Sequence, residues 1–122
     1  KPNTPDGYGD VVSNVVVTEK TMRVPARLGT EFAMQFRLVG LPQGQKVKYE
    51  ERWLFPAPGL RDPKTGNVFR QTTSSMEVAI GNVATSGYRF DESWELIAGD
   101  WTVEIWSGQR KLISQTFTVF RP

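Results

Sequence analysis

The stretch Gly99-Asp100-Trp101-Thr102-Val103-Glu104-Ile105-Trp106-Ser107-Gly108-Gln109-Arg110-Lys111-Leu112-Ile113-Ser114-Gln115-Thr116-Phe117-Thr118-Val119 decides the fold. Trp101, Val103 and Ile105 alternate with Thr102 and Glu104, the period-two signature of a strand with one buried face. The Gly108 turn then sends the chain back, so the stretch predicts a long β-hairpin. Two phases are open. A two-residue turn at Gly108-Gln109 sets Leu112 opposite Ile105 and needs a bulge to bring Phe117 and Val119 inward. A three-residue loop keeps Ile113, Phe117 and Val119 in phase and turns Leu112 outward; this second phase is preferred.

Working outward, residues 31–39 repeat the pattern, with Phe32, Met34, Phe36 and Leu38 on one face and Ala33, Gln35 and Arg37 on the other. Past the turn cluster at 40–44, residues 46–55 place Val47, Tyr49, Trp53 and Phe55 together, with Lys48, Glu50 and Arg52 opposite. A short hairpin is expected to pair these two strands. Upstream, Val11, Val12, Val15, Val16 and Val17 make 10–18 a strand, continued by a short piece over 21–24 that Pro25 closes. Proline donates nothing to a ladder, so this first strand belongs at an edge.

Residues 55–67, with three prolines and two glycines, predict a rigid loop that crosses between sheets or covers an end. Two further short strands are expected over 68–72 and 76–80. Residues 91–96 read as a turn or single helical turn, capped by Asp91 or Ser93. No helix of ordinary length can be drawn. The expectation is an all-β, immunoglobulin-like sandwich of about seven to eight antiparallel strands, occupying residues 10–122 behind a flexible tether at 1–9.

The chain has 122 residues, a common size for one domain able to bury a core without metals or disulfides. Its 15 Lys and Arg against 13 Asp and Glu are scattered, not clustered, which argues against nucleic acid as partner. No apolar run reaches membrane-spanning length. The chain starts without an initiator Met, which fits either a mature protein that has lost a signal peptide or a trimmed chain, and the expectation leans towards a periplasmic or secreted protein.

Chemistry is constrained by what is missing. With no His and no Cys, Ser-His-Asp and Cys-His nucleophiles, His-bound zinc and thiolate metal sites are ruled out. Glu50 and Glu51, adjacent on a strand, point to opposite faces and cannot share a glycosidase site. Asp91, Glu92, Glu95 and Asp100 suit caps and turns. The segment from Asp62 to Asn67 departs from a calcium loop because Lys64 stands where a ligand is needed, and it reads as a tight turn. No enzyme, no cofactor and no metal are expected.

Four residues remain as candidate ligand contacts. Glu51 shares a face with Tyr49 and Trp53, and an inward carboxylate must be paired or neutralised. A bulge or an edge position beside an arginine would keep it wet; a ligand or partner contact is the other account. Trp106 lies on the face opposite Trp101 and Val103, and Trp53 and Tyr88 are candidates to join it in a sugar-stacking surface.

The segments Pro25-Ala26-Arg27-Leu28-Gly29-Thr30-Glu31-Phe32, Pro58-Gly59-Leu60-Arg61-Asp62-Pro63-Lys64-Thr65-Gly66 and Gly87-Tyr88-Arg89-Phe90-Asp91-Glu92-Ser93-Trp94-Glu95-Leu96, with the final hairpin, resemble a bacterial domain-of-unknown-function family. The resemblance implies an immunoglobulin-like sandwich and carries no catalytic or binding residues with it. The leading expectation is a non-catalytic interaction or accessory domain of the cell envelope, taking a protein partner or a second copy along a sheet edge. A carbohydrate-binding module using exposed tryptophans is the alternative.

Overall fold

The computed structural model describes residues 12–20, as backbone, and 23–122. The expected tether at 1–9 lies outside them, as do the first residues of the first expected strand. Along the chain run β1 (Val12–Lys20), β2 (Arg23–Pro25), β3 (Glu31–Gly40), β4 (Lys46–Leu54), β5 (Leu60–Arg61), β6 (Val68–Phe69), β7 (Gln71–Ala79) and β8 (Val83–Arg89). A 3-10 turn at Ser93–Glu95 precedes β9 (Gly99–Ser107) and β10 (Arg110–Phe120). One sheet has the order β1-β3-β8, the other β2-β10-β9-β4-β7, and β5 with β6 forms a small separate hairpin.

The result is an immunoglobulin-like β-sandwich. The described residues form ten strand segments where seven to eight were expected, and one pair, β2 with β10, is parallel. The first strand switches sheets: β1 pairs with β3, whereas β2, ending in Pro25, pairs with β10. Both segments lie at sheet edges, where a missing N–H costs least.

The expected β3–β4 hairpin does not form. The two strands lie in opposite sheets, and the turn cluster at 40–44 is a crossing between layers. Both strands carry a buried apolar face: Phe32, Met34, Phe36 and Leu38 on one, Val47, Tyr49 and Trp53 on the other. Side by side in one sheet, these faces would both need the opposing sheet to cover them. In opposite sheets they cover each other, bringing Phe32 to 5.6 Å from Trp53 and Phe36 to 5.7 Å from Tyr49 between ring centroids. Phe32 also meets Phe90, Trp101 and Phe117, so one aromatic nucleus joins both layers.

Trp101, Val103 and Ile105 are fully buried, as the alternation requires. The hairpin combines parts of both anticipated phases. Its turn is the two-residue Gly108-Gln109, with Arg110 opposite Ser107, and a bulge at Leu112 restores Ile113 opposite Ile105. The preferred three-residue loop is therefore absent, yet Phe117 and Val119 face inward in the phase it required.

Strand β7 replaces the two expected pieces at 68–72 and 76–80 with one nine-residue strand paired with β4 from Leu54–Gln71 to Lys46–Ala79. Its Gln-Thr-Thr-Ser-Ser run carries no alternation because residues 71–77 are exposed on both faces. The ladder to β4, not a buried face, holds it.

Candidate functional site

The two layers are unequal, and the difference leaves one side of the sandwich open. The larger sheet ends at β7, while the smaller one ends at β8. Pairing of Thr72 with Trp53, Ser74 with Glu51 and Met76 with Tyr49 places Thr72, Ser74 and Met76 on the interior side of the sheet. All three are nonetheless exposed, because β8 reaches only as far as β4. The edges of β7 and β8 run along this open side without a neighbouring strand among the described residues.

Glu51 closes the interior at that side. It sits mid-strand in β4, in unbroken register with Ile105 of β9 and Ser74 of β7, so neither a bulge nor an edge position explains it. Among the described residues no arginine pairs with it. Trp53 Nε1 donates to Glu51 Oε2 at 2.8 Å, and Ser86 Oγ of β8 donates to Oε1 at 2.9 Å. Trp53 is 3% and Ser86 0% exposed, so two buried donors converge on a half-buried carboxylate. The Ser86 bond spans the sandwich and ties β8 to β4 where no further strand covers the gap. Burial pushes the neighbouring Tyr49 hydroxyl up, and the charge of Glu51 adds to the shift.

Arg52 and Glu50 face outward, as the alternation requires. The Arg52 guanidinium lies over the Trp106 ring at 4.1 Å and reaches Glu50 Oε1 at 2.7 Å, while Trp106 Nε1 donates to Glu104 Oε1 at 2.9 Å. Lys111 approaches Glu104 at 3.6 Å. One face of the indole is thus occupied by a cation. The four candidate residues separate accordingly: Glu51, Trp53 and Tyr88 lie together inside, with Trp53 and Tyr88 ring centroids 5.7 Å apart, and Trp106 stands on the outer surface. They do not form one stacking platform.

A cavity of about 200 Å³ lies at the lower end of the open side, lined by Phe55, Leu60, Phe69, Thr72, Tyr88, Trp94 and Glu95. The β5–β6 hairpin supplies Leu60 and Phe69; it occupies the segment read as a loop. The turn from Asp62 to Asn67 closes that hairpin, with Lys64 N–H donating to Asp62 Oδ1 and Gly66 N–H to the Asp62 carbonyl. Gly59, at φ +101°, lets the backbone pass Phe69: a Cβ there would sit 2.8 Å from the Phe69 carbonyl oxygen.

The 3-10 turn supplies Trp94 and Glu95. Capping falls to a box between the N-cap Glu92 and Glu95, not to Asp91 or Ser93: Glu95 Oε1 accepts the N–H groups of Asp91 at 2.8 Å and Glu92 at 3.0 Å. Glu95 Oε2 accepts the Tyr88 hydroxyl at 2.8 Å. The Tyr88 hydroxyl is pushed far up, by burial first, then by this bond and by the charges of Glu95 and Asp91. The sequence does contain Phe69, Tyr88 and Trp94, but the proline-rich segment that precedes them hides the β5–β6 hairpin that completes the cavity. Among the described residues no acidic cluster is arranged to hold a metal ion.

The fold and family have known counterparts. No curated protein matches the chain. An immunoglobulin-like protein from Pseudomonas aeruginosa superimposes with a TM-score of 0.72 at 23% identity, covering 96% of this chain and 100% of that one. The alkylpurine DNA glycosylase AlkC of Pseudomonas fluorescens, solved bound to DNA with an abasic site analogue, gives a TM-score of 0.51 at 15% identity, covering 92% of this chain and 30% of that one. At these identities both share the fold alone. The profile of the domain of unknown function DUF3859 matches residues 2–119, and the chain belongs to that family.

Proposed function

We propose that the chain is a non-catalytic interaction module of the bacterial cell envelope that receives an extended segment of a partner protein along the free edge of β7. The supporting observation is the edge itself: nine residues, exposed on both faces over 71–77, without proline and with Glu77 as its sole charge. Soluble β proteins usually blunt such edges with lysine, proline, a bulge or a covering loop. Main-chain hydrogen bonds to an added strand would satisfy the row of outward N–H and C=O groups. A second copy of this chain docking through the same edge is one version of the proposal.

Chemistry offers less support for catalysis. Glu50, Glu51 and Glu95 are each engaged by donors from the protein itself. Sugar stacking is the weaker reading, since Arg52 occupies one face of Trp106 and Trp53 is buried. Nucleic acid is no part of the proposal; Arg52, Arg89 and Lys111 are paired with carboxylates.

The test is a variant carrying Thr73→Lys and Ser75→Lys, both exposed and both on the outer face of the sheet opposite Arg52 and Glu50, which charges the edge without touching the core. Partner capture from a periplasmic extract, or self-association by sedimentation, should be lost with unfolding stability unchanged. Capture by the variant equal to wild type would overturn the edge assignment. The periplasmic or secreted setting belongs to the same proposal, and cell fractionation tests it.

A further inference from the structure

We propose that the cavity between the β5–β6 hairpin and the 3-10 turn is a binding site for an organic cation, an ammonium group carried on a small alkyl body. The inference does not depend on the β7 edge. Four of the seven lining residues are aromatic, Phe55, Phe69, Tyr88 and Trp94, and the single charged lining residue is Glu95. Phe69 and Thr72 are exposed, so the cavity opens to solvent.

Glu95 is held in place from three directions. Two backbone N–H groups fix Oε1 and the Tyr88 hydroxyl fixes Oε2, which leaves the second lone-pair site of Oε2 without a partner among the described residues. No lysine or arginine lines the cavity to neutralise it. A neutral apolar ligand filling this space would strip water from the carboxylate and return nothing. An ammonium group restores the lost solvation as an ion pair and is attracted by the negative faces of the surrounding rings. The charge and the aromatic walls therefore select the same ligand class.

The probes are choline and 3,3-dimethylbutan-1-ol, its uncharged isostere, titrated into the protein while the amide signals of Thr72, Tyr88 and Glu95 and the Trp94 indole N–H are followed by NMR. N-acetyl-lysine methylamide, as a third probe, separates a free quaternary ammonium from a lysine side chain. Choline or the lysine amide should give saturable shifts confined to these residues, about tenfold tighter than the alcohol. Glu95→Gln keeps an oxygen for the backbone donors and should cut the preference for charge severalfold, leaving the share owed to the rings. Trp94→Leu, which leaves the carboxylate and its donors intact, should weaken every probe. The proposal is overturned if neither cation saturates, or if the alcohol binds wild type as tightly as choline; both comparisons use the unmodified chain, so they hold even where a variant misfolds.

Discussion

Replacing Glu51 with leucine removes the shared acceptor of two buried donors while leaving the β4 backbone and the neighbouring strands in place. Trp53 Nε1 and Ser86 Oγ, 2.8 and 2.9 Å from the carboxylate, then have no partner. Each orphaned buried donor costs about 1–3 kcal/mol. Leucine recovers roughly 1–2 kcal/mol from apolar burial and from relief of the carboxylate's desolvation. The expected net loss is about 0–5 kcal/mol, centred on about 2–3 kcal/mol, a substantial part of the ~5–15 kcal/mol that a domain of this kind possesses. Urea unfolding followed by tryptophan fluorescence measures it, with equal m-values as the check that the unfolded state is unchanged. The informative step is the second substitution. Adding Ser86→Ala to Glu51→Leu removes one orphan and should restore about 1–2 kcal/mol, whereas Ser86→Ala alone should destabilise. If Glu51→Leu is as stable as wild type and Ser86→Ala has the same effect in both backgrounds, the carboxylate does not fasten β8 to β4.

Other regions give independent tests. Gly59→Ala forces a Cβ to 2.8 Å from the Phe69 carbonyl at φ +101°, and should cost about 1–3 kcal/mol in thermal or urea unfolding while opening the cavity. Ser107 Oγ is buried without a partner among the described residues, so Ser107→Ala should be neutral or stabilise by about 1 kcal/mol, read as a shift in unfolding midpoint. Tyr49 and Tyr88 both hold their protons more tightly in the folded chain, so unfolding releases protons at high pH. Their contribution is fully present below the ordinary tyrosine value of about 10 and declines above it. Stability measured from pH 8 to 12 should fall at the alkaline end, and Tyr88→Phe should reduce the slope. Arg52→Ala uncovers one face of Trp106 without opening the core, and should red-shift and sensitise its fluorescence to acrylamide.

The strands with one buried face were legible in the sequence. Phe32 to Leu38 and Trp101 to Ile105 alternate because each contacts an opposing layer on one side and water on the other. Layer assignment was not legible, because the alternation in β3 and β4 is the same whether they pair or face each other. Strand β7 was misread for a related reason: exposed on both faces, its polar residues carry no period, and only the ladder to β4 defines it. The inward position of Glu51 followed from strand phase. Its Trp53 neighbour followed as well, but the Ser86 donor did not, because Ser86 lies 35 residues away on another sheet. The cavity has no signature in the sequence because its walls come from a proline-rich segment, three strands and a 3-10 turn, brought together only by the tertiary fold.

Whether β7 offers an open edge to a partner strand is read by amide hydrogen exchange across residues 71–79 in the free protein and in the complex recovered from a periplasmic extract. Added protection along β7 is expected on binding, and its loss in the Thr73→Lys, Ser75→Lys variant. Protection confined to other strands, with β7 exchanging as in the free protein, would contradict the edge assignment.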